Sequence, residues 1–100
     1  MVKDYNYEVQ KLYLELMLAD AEVFVRCQGI FDHTLFDRKL QDAAEFVNLY
    51  TKEYNVLPDY DMVNASCRVN FQRPADITPG HMNWLLDEFE GFTRHKALER

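Results

Sequence analysis

Along almost the whole chain apolar side chains recur every three or four positions, the spacing of an α-helix, and alternation at two is rare. From Val9 the series Leu12, Leu16 and Ala19 runs down one helical face, with Tyr13 and Met17 beside it and Asp4 placed to cap. This predicts a core-facing first helix. Asp20 can cap a short second helix over AEVFVRCQ, which Gly29 can close in the left-handed conformation while Ile30 packs back over the last turn. Thr34 or Asp37 opens the clearest stripe in the chain, Phe36, Leu40, Ala43, Val47, Tyr50 and Tyr54, the spine of the predicted domain.

Asn55 tolerates the left-handed region and stands where that third helix should end. Pro58 follows, and Asp59 can cap YDMVNASCRV as a fourth helix. NFQRPADI reads as a linker. Thr78 and Pro79 then start a fifth helix, with Met82, Leu85, Phe89 and Phe92 on one stripe. Its acids Asp87, Glu88 and Glu90 precede its bases Arg94, Lys96 and Arg100, the order that the helix dipole favours. Gly91 in its middle costs about 1 kcal/mol against Ala, so it is either passively tolerated or lets another helix approach closely.

The expected fold is therefore all-α: a compact orthogonal bundle of about five helices in one domain over residues 1–100. A hydrophobic content of 48% suffices for one modest core. No apolar run reaches the ~18 residues that a membrane span requires, and no secretory leader is visible, so a cytoplasmic protein without membrane contact is expected. The formal charge of −6 opposes tight binding to a polyanion, because nucleic-acid affinity comes largely from Lys and Arg.

Chemistry-bearing patterns are sparse. The nucleotide-cradling glycine motifs and the H-E-x-x-H zinc motif are not in the sequence. His33, His81 and His95 are far apart and suit exposed or capping roles. Cys27, beside Val23 and Phe24, reads as a small core hydrophobe rather than a nucleophile. Asp59 and Asp61 could resemble a cation site, but a helix start rich in Asp is explained by capping. The aromatic residues of the last helix are the remaining oddity. Trp84, Leu85, Phe89, Phe92 and Leu98 form the expected oligomer or partner interface, since a terminal helix has only part of the domain to cover its circumference.

Three segments, in order, resemble the N-terminal domain of DnaB-like replicative DNA helicases of the phage type. YEVQKLYLELMLADAEVFVRCQGI looks like that family's first helix leading through an Asp into a short second one. LFDRKLQDAAEFVNLYTKEYNVLPDYDMVNA is similar to its long helix, a turn with Pro and the following helix, and MNWLLDEFEGFTRHKALER to the aromatic-bearing helix that closes in basic residues. RVNFQRPADITPG departs from the bacterial form, so no primase-contacting residue transfers there.

The resemblance implies that the last helix is one arm of a truncated helical hairpin and that an ATPase domain is absent from this fragment. It implies a non-catalytic assembly and primase-docking role in a hexameric helicase that unwinds duplex DNA during replication. Partners would be other copies of the chain, primase, and DNA through the missing domain. The fragment would hold no cofactor, and ATP with magnesium would belong to the parent protein. The alternative is a stand-alone helical nucleic-acid-binding protein, with LPDYDMVNASCRVNFQR in a helix-turn-helix and Arg68 and Arg73 on phosphate.

Overall fold

The structure is a computed structural model that describes residues 5–75 and 77–98. Its regular elements are all helical: α1 (Tyr7–Ala19), α2 (Ala21–Gln28), a single 3-10 turn (His33–Leu35), α3 (Arg38–Tyr54), α4 (Tyr60–Cys67) and α5 (Pro79–Leu98). The expected all-α bundle of five helices is what the chain forms. Asp4, proposed as the first cap, lies outside the described residues; Asn6 caps α1, its Oδ1 accepting from the Val9 amide at 3.0 Å. Asp20, Asp37 and Asp59 cap α2, α3 and α4 in the same way, each satisfying an amide that the first turn leaves without a partner.

Helix ends divide into those legible in the sequence and those decided by packing. Asn55 is left-handed, with φ 58°, and stops α3 as expected. Gly29 is not left-handed: its φ is −65° and its ψ −24°. The chain instead continues in right-handed turns, the Ile30 and Phe31 amides donating to the carbonyls of Cys27 and Gln28. That path delivers Phe31 into the core against Phe24, ring centroids 5.5 Å apart, and leaves Ile30 exposed rather than folded back. Of the two candidate caps for α3, Asp37 is used and Thr34 lies in the 3-10 turn. Helix α4 stops at Cys67, two residues early, because Arg68 turns left-handed with φ 56°.

Helix α1 packs against α2, α3 and α5. It is therefore covered on most of its circumference, and the expected single stripe is too narrow. Tyr13, Leu14, Leu16, Met17 and Leu18 are buried, whereas Val9, Leu12 and Ala19 are only half-buried. Gln10 is buried too, and useful there: its amide nitrogen donates to the Tyr5 carbonyl at 2.7 Å and its oxygen accepts from the Asp37 amide. One polar side chain thus ties the start of α1 to the cap of α3.

The segment read as a linker is pinned rather than loose. Asn64 on α4 forms a two-way bond with Phe71, accepting from its amide at 2.8 Å and donating to its carbonyl at 3.0 Å. This places the Phe71 ring in the core, 2% exposed. Glu15 on α1 holds the same region from the other side, receiving the Gln72 amide on its carboxylate and the Tyr60 hydroxyl on its carbonyl.

Helix α5 starts as expected at Thr78 and Pro79, through a reciprocal cap in which Thr78 Oγ1 accepts from the His81 amide and His81 Nδ1 accepts from the Thr78 amide. At Gly91 a side chain, rather than another helix, comes close. A Cβ there would stand 3.0 Å from the Tyr5 hydroxyl, whose ring packs on Phe92 and His95. Tyr5 precedes α1, so the neighbour is a side chain and not a helix backbone.

Candidate partner-binding groove

The expected interface on α5 is split by the fold. Leu85, Phe89 and Phe92 are fully buried, and the two Phe rings form one aromatic cluster with Tyr13, Phe31 and Phe36 at centroid distances of 5.2–6.2 Å. Those three cannot meet a partner while the domain is folded, which corrects the placement read from the sequence. The physical reason is that α1, α2 and the 3-10 turn all pack on α5. Trp84, 41% exposed, packs at a tilt on Tyr13, centroids 5.9 Å apart, and Leu98 is 81% exposed. The structure does not bring these two together with the other three in one patch.

A second apolar surface lies on α3 and α4, and the sequence reading missed it. Val47 is the last fully buried residue of α3, two turns before the helix ends at Tyr54. The remaining turns overhang the core. Phe46, Tyr50 and Tyr54 follow one another at four-residue steps, with ring centroids 5.8 and 4.6 Å apart, and Leu49 stands beside them in solvent. After the short turn at Asn55 and Pro58, α4 returns alongside α3, and its far end is tied back by the Cys67 thiol donating to the Asp42 carbonyl at 3.6 Å. Between them runs an open groove of about 830 Å³, with Met62 and Cys67 on the α4 side.

The groove's rim is acidic. Asp42, Glu45 and Glu53 line it from α3, against the single guanidinium of Arg68. Glu45 is engaged by His33, Nε2 to Oε2 2.8 Å. The periodicity puts Tyr50 and Tyr54 on the core stripe of the third helix, whereas Tyr50 is half-buried and Tyr54 exposed; the signal for a different role is the length of that stripe, which outruns what the short α4 can cover.

Elsewhere the chemistry is quiet. Cys27 is 2% exposed and burial pushes its thiol up to about 11, away from the thiolate a nucleophile needs. Burial and the neighbouring Asp42 push the Cys67 thiol up as well. His81 caps α5, and Asp59 caps α4. Among the described residues there is no cluster of three or more His, Cys, Asp and Glu side chains able to hold a metal ion, and no helix long and apolar enough to cross a membrane. Comparison with protein-family models, with curated proteins and with solved structures finds no match to this chain.

Proposed function

We propose that this chain is a non-catalytic assembly and docking domain of a DnaB-like, hexameric, ATP-dependent replicative helicase, placing copies of the motor around DNA and receiving primase. What supports the reading is the resemblance of three ordered segments to that family, together with a fold that devotes its interior to packing. The observation that carries it is the division of α5: Leu85, Phe89 and Phe92 build the core while Trp84 and Leu98 keep apolar surface in water. Leaving such surface wet forfeits roughly 25 cal/mol per Å² that a second hairpin arm or a neighbouring copy would recover. ATP and magnesium act in the parent's motor domain, and the acidic surface leaves the grip on DNA to that domain.

The test is light scattering of the protein expressed from the full reading frame that encodes this chain. A hexamer is expected, weakened by Trp84→Asp with Leu98→Asp while circular dichroism stays unchanged. A monomer throughout, or a hexamer indifferent to both substitutions, refutes the assembly reading.

A further inference from the structure

We propose that the α3–α4 groove is a docking site for a basic amphipathic helix of a partner protein. The inference rests on the docking reading only in requiring that a partner exists; it concerns a surface remote from Trp84 and Leu98 in the chain and is tested separately.

Three observations define the occupant. First, the floor is apolar and aromatic: Phe46, Leu49, Tyr50, Tyr54 and Met62 present rings and methyl groups that a helix's i, i+3, i+4 and i+7 side chains can cover. The α3 wall runs from Asp42 to Tyr54, a length of about 18 Å at 1.5 Å per residue, which a helix of about three to four turns matches. Secondly, the walls are charged with one sign in excess, three carboxylates to one guanidinium. Asp42 and Glu53 have no ion-pair partner among the described residues, so Lys or Arg flanking an apolar stripe would find a complement on the α3 side. Thirdly, the Tyr50 and Tyr54 rings, in tilted contact and partly exposed, suit a guanidinium, which aromatic faces attract. A second copy of this chain fits less well, because a protein of formal charge −6 would bring more carboxylates to an acidic rim.

The probe is a fluorescein-labelled designed peptide of fourteen residues with a Leu/Phe stripe at helical spacing and Arg on both flanks. Its controls are the same stripe flanked by Glu, and a scrambled basic peptide. Anisotropy titration gives affinity and amide chemical shifts give location. The basic amphipathic peptide should bind, move resonances of α3 and α4, and weaken as salt rises. Leu49→Glu and the charge reversals Asp42→Lys with Glu53→Lys, all at exposed positions, should each reduce affinity by about tenfold or more without changing the circular dichroism. The proposal is overturned by any of four results: no binding up to about 1 mM peptide; equal binding of the Glu-flanked or scrambled peptide; shifts confined to other elements; or groove resonances that move with protein concentration alone, which would make the groove a contact between copies. None of these touches the hexamer assay, so a failed groove and a failed assembly reading remain distinguishable.

Discussion

Tyr13→Phe should stabilise this domain. Tyr13 is fully buried, with Trp84, Phe89 and Phe92 ringed around it at 5.7–6.2 Å, and its hydroxyl has no hydrogen-bond partner among the described residues. A buried hydroxyl left without a partner costs about 1–3 kcal/mol, whereas the ring contacts survive in Phe. We expect a gain of about 1 kcal/mol at neutral pH, which for a domain of this size raises Tm by about 4–8 °C. Urea unfolding followed by circular dichroism measures it, with an unchanged m-value showing that neither end state has been reshaped.

The same substitution has a pH signature. Burial, with a smaller contribution from the nearby Tyr5, pushes the Tyr13 phenol up from 10.0 to about 12. A group whose folded pKa is raised contributes stability that is fully present below the unfolded value and disappears as pH climbs through the folded one. The parent should therefore lose about 1.4 kcal/mol per pH unit between roughly pH 10 and 12 on account of Tyr13, a loss the Phe variant escapes. Tyr60, also pushed up to about 12 by burial, titrates in both proteins and cancels in the difference. The advantage of the variant should widen above pH 10. A variant less stable than the parent by about 1 kcal/mol at pH 7 would show that the hydroxyl has a partner and that the reasoning is wrong; so would an advantage that stays flat up to pH 12.

Phe89→Ala tests whether α5 was correctly moved from partner surface to core: removing a ring that meets Tyr13, Phe31, Phe36 and Phe92 should cost about 3–5 kcal/mol in urea unfolding, and a cost under about 1 kcal/mol would return Phe89 to the surface. Because typical domains hold only about 5–15 kcal/mol, that variant should sit near the edge of unfolding. For the thiols, Ellman's reagent at pH 8 should modify half-buried Cys67 first and reach Cys27 only when denaturant opens the core; simultaneous modification of both under native conditions would contradict the packing around α2.

How much of this was legible beforehand depends on the range of the interaction. Asp20, Asp37, Asp59, Thr78 and Asn55 act on amides and carbonyls within one turn of themselves, so their roles can be read from a few neighbouring letters. Gly29 is the exception that shows the limit. Its conformational freedom is visible in the sequence, but the demand that Phe31 reach Phe24 comes from elsewhere, and it sends the chain right-handed. The candidate groove went unread for the same reason: Phe46, Tyr50 and Tyr54 sit at helical spacing like any core stripe, and nothing local says that cover stops after Val47.

By itself, the sequence determined that the chain is helical, where most helices begin, and that its surface is acidic, because periodicity, caps and charge are properties of residues close together in the chain. Only the tertiary structure decided which apolar faces are covered. It buried Leu85, Phe89 and Phe92, drew the supposed linker in through Asn64 and Phe71, and left the last turns of α3 open. Burial is a relation between distant segments, fixed by the lengths and crossings of helices that a stripe of letters does not contain.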